Sequence, residues 1–307
     1  MLAVLLVLFG LAVGSFSCVV IDRLPVPLDQ PNEFGETFEM RPWGEVAGGR
    51  SRCSSCGTDV PAHLNVPVFA WLALRGRCRS CGASIGAFHP MVEALVPALW
   101  LGLAWAVGWG WSLVPMLWFV PVAVIVGVID LRTLMVPTRL VWPAAGVSAV
   151  LIGVSAAAEG DVAILTGAAL GAAVLAGALF LIWFVRPDGL GFGDVRLAVL
   201  IGLHIGALVG TGGLILAVFA VVITMGVAAV FGIVLGGVLW AAGDRRAAPV
   251  VPEPAPENGD ARGADGRPEA EEASGFAGLA VPFGPALLAA AYVVALASPW
   301  LVDNLGL

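Results

Sequence analysis

The chain has 307 residues, 59% of them hydrophobic and only 12% charged, with a mean hydropathy of +0.96. Soluble domains carry about twice that charge fraction, and several apolar runs exceed the ~18 residues that mark a membrane span. A soluble globular class is excluded. The formal net charge is −7, and all 15 basic residues are arginines.

The first run, Met1 to Ile21, has no basic start and no small-residue cleavage site. Gly14-Ser15-Phe16 leads straight into Val19-Val20-Ile21, so it reads as a retained span, with Cys18 as a buried thiol. A polar loop follows from Asp22 to His89, long enough for a small folded unit. Further spans are expected at Pro90–Val107, Ser112–Ile129, Pro137–Ala158, Val162–Val185, Val195–Val209, Leu214–Trp240 and Phe276–Leu301. The split at Thr211-Gly212-Gly213 is the least marked of these boundaries. The sequence thus predicts an all-α polytopic membrane protein of about eight transmembrane helices with a small loop domain. It divides into a first helix (1–21), the loop domain (22–89), a membrane core of six helices (90–242), a linker (243–275) and a last helix (276–307). The linker is rich in Ala, Pro, Glu and Gly without apolar periodicity, and reads as disordered.

Eight spans put both termini on one side. If the long loop is cytoplasmic, Arg23, Arg41, Arg50, Arg52, Arg75, Arg77, Arg79, Arg132, Arg139, Arg186, Arg196, Arg245, Arg246, Arg262 and Arg267 all fall inside. The outer connections then carry Glu159, Asp161 and Asp303. The positive-inside rule selects this orientation, with both termini outside.

Within the loop, Cys53-Ser54-Ser55-Cys56 and Cys78-Arg79-Ser80-Cys81 are each followed by glycine, Gly57 and Gly82. Two such knuckles offer four thiolates that can converge on a tetrahedral Zn²⁺, and four thiolates leave no open position, so the ion would be structural. Two disulfides or four free thiols are the alternatives, and a reducing compartment disfavours the disulfides. Between the knuckles, Val66 to Leu74 is apolar but too short to span. It is expected on the membrane surface or beneath the metal site.

Two aspartates carry the chemistry. Asp130 ends the third span in Gly127-Val128-Ile129-Asp130. Asp194 opens the sixth, after Gly189-Leu190-Gly191-Phe192-Gly193. A carboxylate at membrane depth costs roughly 2.5–3.5 kcal/mol at a helix centre, so function is the default reading. Threading places both at the inner face. Two carboxylates held close share a proton near neutral pH, and such a pair can hydrolyse an amide without a covalent intermediate. The plainer alternative is that each caps a helix or pairs with Arg132 or Arg196. Gly191 and Gly193 are expected to let the backbone take positive φ and admit an extended substrate.

Glu93, early in the second span, either helps shape the site or is an end-of-helix charge. His204 reads as a packed histidine. Pro282-Phe283-Gly284-Pro285 is expected to break the start of the last span, which is tolerated where a helix lines a polar cavity.

These residues resemble the bifunctional type IV prepilin peptidases, membrane aspartyl proteases of the Gly-x-Gly-Asp type that also N-methylate their product. Gly14-Ser15-Phe16 with Arg23-Leu24-Pro25 is similar to the family's opening motif, and both Cys-x-x-Cys pairs to its zinc loop. Pro90 and Glu93 are similar to the start of its second span. Asp130, with Pro137 seven residues on, matches the first catalytic aspartate. Gly189, Gly191, Gly193, Asp194 and Leu197, with Gly202 and Gly206 behind, match the second. Pro282-Phe283-Gly284-Pro285 matches the closing motif. Two departures stand out: Arg196 where the family usually has Lys, and Thr138 where an acidic or amide residue is usual.

The resemblance implies an aspartic endopeptidase with Asp130 and Asp194 as catalytic pair and Gly191, Gly193, Arg196, Glu93, Pro282 and Gly284 shaping the site. It implies Zn²⁺ on Cys53, Cys56, Cys78 and Cys81, in a loop domain associated with methyl transfer from S-adenosylmethionine. The expected partners are prepilin or pseudopilin substrates, for pili or for secretion, and the lipid bilayer, with no nucleic acid. The expected location is the inner or plasma membrane, site and zinc loop cytoplasmic. A peptidase without methylation is the near alternative. A transporter relaying ions through Asp130, Asp194 and Glu93 is the distant one, although no internal repeat of the kind common in transporters is visible.

Overall fold

The computed structural model describes residues 1–30, 37–61, 66–187, 190–242 and 281–305. Gly189, the linker at 243–275 and the first residues expected in the last span (276–280) lie outside the described residues. Among the described residues, eight helices are long and apolar enough to cross a membrane: α1 (Leu2–Arg23), α4 (Phe88–Val107), α5 (Leu113–Thr133), α6 (Thr138–Glu159), α7 (Ala163–Val185), α8 (Phe192–Val209), α9 (Leu214–Ala241) and α10 (Phe283–Leu305). Between α1 and α4 the loop holds a two-stranded antiparallel ribbon, β1 (Pro25–Pro27) with β2 (Phe38–Met40) in register Pro25↔Met40, and two short helices, α2 (Trp43–Val46) and α3 (Phe69–Ala73).

The observed helices reach further toward the loop side than the apolar runs suggest. α4 begins at Phe88, which takes His89 into its first turn, and α5 continues three residues past Asp130. α8 starts at Phe192, so Asp194 sits in its first turn. α10 starts at Phe283, and Pro285 stands in its first turn, where a missing N–H costs nothing. The closing motif therefore opens the helix instead of breaking it. The split after α8 is real: a 3₁₀ turn at Gly210–Gly212 leads into Gly213 at φ +94°.

Burial ranks the spans. In their most apolar stretches α5 is 72% and α8 61% buried within the protein, against half or less for the other six. These two central helices are the ones that carry Asp130 and Asp194. The outer spans turn apolar side chains outward, among them Phe180, Phe184 and Ile233, as lipid-facing helices do. Trp105, Trp109, Trp111 and Trp300 are exposed at the end remote from the loop, where an aromatic belt would meet the interface.

Glycine seams set the tightest contacts. Gly167 and Gly171 of α7 face Gly202 and Gly206 of α8 and Gly210 of the turn that follows it, and a Cβ on Gly206 would lie 2.0 Å from the Gly167 carbonyl oxygen. Small residues four apart let two backbones touch, the main source of helix association in lipid. Gly10 and Gly14 of α1 do the same against Pro97 and Glu93 of α4.

Candidate active site and metal site

Asp130 and Asp194 are 4% and 7% exposed. Asp130 lies one turn before the end of α5, where Leu134 adopts the left-handed conformation and donates its N–H to the Asp130 carbonyl at 2.9 Å. Its carboxylate Oδ2 accepts the Gly284 N–H at 3.1 Å. A Cβ on Gly284 would fall 2.6 Å from that oxygen and 3.5 Å from Cδ2 of Leu197, one turn beyond Asp194. Helices α5, α8 and α10 thus converge on Gly284, and Pro282 is buried beside it. The two carboxylates are near enough for the charge of one to act on the other.

Neither aspartate has an ion pair among the described residues. Arg132 bonds Asp22 at 2.9 Å and stacks on Phe88. Arg196 donates to the Thr138 hydroxyl and lies over the Phe192 ring. The pairing of the aspartates with Arg132 or Arg196, open from the sequence, is not what the structure contains. Oδ1 of Asp194 is buried with no hydrogen-bond partner among the described residues. A buried, unsatisfied carboxylate oxygen costs about 1–3 kcal/mol or more.

Arg196 and Thr138, both departures from the family pattern, are partners: the longer guanidinium meets the shorter hydroxyl. The glycines differ from expectation. Gly191 has φ −68° and Gly193 is helical, so neither uses positive φ. A Cβ on Gly193 would lie 2.8 Å from Cβ of Val136, so this glycine lets the α5–α6 connection close onto α8. Glu93 is not at the aspartates. Its Oε2 accepts the N–H of Val68 at 2.7 Å, a residue at φ 61°, and ties the loop domain to α4. A relay through all three acids is therefore disfavoured. His204 is fully buried, its Nδ1–H donating to the Leu200 carbonyl at 2.8 Å with its ring against Phe119. Cys18 is buried as expected.

The four loop cysteines converge, with ligand atoms all within 4.8 Å of one another. Each knuckle closes identically: Gly57 N–H to the Cys53 carbonyl and Gly82 N–H to the Cys78 carbonyl, both 2.9 Å, with each glycine at φ +71°. Cys53 and Cys81 sulfurs are 3.9 Å apart and all cysteines are free, which excludes disulfides at ~2.05 Å. A tetrahedron with Zn–S near 2.3 Å has edges of roughly 3.8 Å, so the donors fit the ion. Hydrogen bonding from Thr58 holds Cys56 down to about 6, and the Cys81 and Ser80 backbone N–H groups lower Cys78. At Cys81 the Ala83 N–H pulls downward, but bonds from Cys56, Cys78 and Cys53 outweigh it and push the thiol up to about 11. The cluster can hold a metal ion.

Helix α3 does two things the sequence left open. Trp71 turns inward, its Nε1–H donating to the Ile85 carbonyl at 3.0 Å, while Phe69 and Leu72 are exposed. A cavity of about 600 Å³ lies between the cysteine unit and the loop-side ends of α1 and α4. It is away from the aspartates, and Asp22, His89 and Glu93 line it.

Fold and site together define the class: a polytopic helical membrane protein whose two most buried spans bring two aspartates together at the face carrying a four-cysteine unit. The chain belongs to the type IV leader peptidase family. The model described as "Type IV leader peptidase family" matches residues 117–237, and "Bacterial Peptidase A24 N-terminal domain" matches 8–107. Among relatives named prepilin leader peptidase/N-methyltransferase, the Myxococcus xanthus protein is 36% identical over 204 residues, 65% of this chain and 55% of that one. The Aeromonas hydrophila protein is 34% identical over 217 residues, 66% of this chain and 72% of that one. The Stutzerimonas stutzeri protein is 33% identical over 205 residues, 63% and 69% respectively. No solved structure matches.

Proposed function

We propose that this protein is an intramembrane aspartyl endopeptidase that removes the leader of type IV prepilins or pseudopilins and then N-methylates the new N-terminus. The observation that carries the reading is the buried Asp130–Asp194 pair, with one carboxylate oxygen held by Gly284 and another without a partner among the described residues. Sharing one proton, the pair can draw a proton from water at one carboxylate while the other protonates the scissile carbonyl oxygen. The C–N bond then breaks with the proton returned to the leaving amine. Gly284 fixes the rotamer of Asp130 through its N–H, so positioning and proton transfer depend on the same contact.

The arginine distribution supports an orientation with this face, the cysteine unit and the substrate's leader in the cytoplasm and both termini outside. A prepilin presents a polar leader there and an apolar helix in the bilayer, which suits a site at the interface. Zn²⁺ on Cys53, Cys56, Cys78 and Cys81 would hold the loop domain together. Methylation draws on S-adenosylmethionine, which supplies an electrophilic methyl group. The cavity beneath the cysteine unit is of nucleoside-ligand size, within the ~300–1,000 Å³ usual for such sites.

The test is co-expression with a prepilin, reading leader loss by gel mobility and the N-terminus by mass spectrometry. A processed pilin 14 Da heavier than its unmodified form is the expected product. An intact leader would reject the reading.

A further inference from the structure

We infer that His89, held by Asp22, is the proton acceptor for methyl transfer in the cavity beneath the cysteine unit; this rests on the methylation reading above. His89 Nε2 and Asp22 Oδ2 are 2.7 Å apart, and both side chains are open to the cavity, at 49% and 37% exposure. An ionised carboxylate only accepts, so the neutral ring donates Nε2–H to Asp22 and keeps Nδ1 as acceptor. The second oxygen of Asp22 accepts from Arg132 at 2.9 Å, and Arg132 is braced on the Phe88 ring at 4.1 Å. The carboxylate is thereby fixed from both sides, and the ring with it.

The chemistry needs such a group. A newly cut N-terminus is an ammonium with an ordinary pKa of about 7.7–8.0, and only the neutral amine has a lone pair to attack a methyl carbon. His89 takes one proton from the ammonium. The amine then forms the N–C bond while the C–S bond of the sulfonium breaks, its electrons staying on sulfur. Products are a methylated ammonium, a neutral thioether and a protonated His89 that returns its proton to water. An imidazole is suited to accept near neutral pH. Of the arginines that line the cavity with Arg50 and Arg79, Arg52 pairs with Asp59 at 2.7 Å and Arg23 donates to the Val46 and Gly48 carbonyls. The groups facing the pair are Arg132 from α5, Glu93 from α4 and Cys18 from α1, and Glu93 is itself bonded to Val68.

Arg132 lies two residues beyond Asp130 on α5, so the helix that carries the cleavage chemistry also braces the methyl-transfer pair.

The experiment uses the full chain in detergent with a leaderless pilin as acceptor. His89→Gln should leave leader cleavage of a prepilin unchanged and retain S-adenosylhomocysteine binding by calorimetry. Methylation at pH 7 should fall about tenfold, since only about one amine in ten is then neutral, and should recover by pH 9. Val19→Trp, which fills the cavity, should abolish S-adenosylhomocysteine binding while sparing cleavage. Wild-type methylation by His89→Gln at pH 7 overturns the proton role. So does loss of S-adenosylhomocysteine binding in that variant, or a deficit unmoved by pH. Undiminished binding by Val19→Trp overturns the location. If the wild-type protein cleaves but never methylates, the methylation reading itself has failed.

Discussion

The amide of Gly284 donates to Oδ2 of Asp130 at 3.1 Å, joining residues 154 positions apart. The approach is possible only because residue 284 has no side chain, since a Cβ there would stand 2.6 Å from the same oxygen. Gly284→Ala should therefore displace the Asp130 carboxylate without unfolding α10. Misplacement of a reacting group by about 1 Å can cost 10²-fold in rate, and a loss of about that size in kcat for leader cleavage is expected. Helical content and membrane insertion should match wild type. Retained cleavage would show that the contact is dispensable.

Glu93 predicts a different phenotype from the aspartates. Glu93→Gln keeps an acceptor for the Val68 N–H and should be nearly silent, whereas Glu93→Ala leaves that N–H unpaired at about 1–3 kcal/mol. The alanine variant should expose the 66–75 segment to limited proteolysis and lower methylation, with leader cleavage preserved. Equal loss of cleavage in both variants would return Glu93 to the peptidase site.

Arg196 and Thr138 should behave as a pair. Lysine cannot both reach the Thr138 hydroxyl and lie flat on Phe192, so Arg196→Lys should cost about 1 kcal/mol of stability, the scale of one hydrogen bond. Adding Thr138→Asp supplies a charged acceptor and should restore it. A double-mutant cycle by thermal unfolding checks the coupling, and strict additivity would mean the contact is idle.

Much of the membrane architecture is written in local composition. Apolar runs mark the spans, arginines mark one face, and the cysteine spacing marks the metal cluster. What stayed hidden are relations between distant residues. Asp22, His89 and Arg132 are 67 and 110 positions apart in their two bonds, and no periodicity points from one to another. Glu93 could be read as an acid near a membrane surface but not as the partner of Val68. The α7–α8 seam was visible in principle, because Gly167 and Gly171, like Gly202 and Gly206, stand four apart on a helix. At Gly193 the packing against Val136 was equally hidden, because residue 136 lies 57 positions away in the α5–α6 connection.

That seam carries its own consequence. Gly206→Val places side-chain carbons against the Gly167 backbone, which cannot yield as a flexible side chain would. A cost of about 1–3 kcal/mol or more follows from overpacking, seen as a lowered midpoint of thermal unfolding in detergent. An unchanged midpoint would mean that α7 and α8 are not in backbone contact.

The metal cluster should hold one Zn²⁺ per chain, measured by mass spectrometry of the purified protein. Cys53→Ser with Cys56→Ser should remove it and loosen the loop domain, since structural zinc is folding energy for such units. Full zinc occupancy in the double variant would refute the four-thiolate site.

The central claim is the catalytic pair, and the most direct test is leader cleavage of a co-expressed prepilin by Asp130→Asn and Asp194→Asn. Each substitution is nearly isosteric but ends the sharing of a proton, so each variant should insert normally and leave the prepilin uncut. Wild-type processing by either one would contradict the pair.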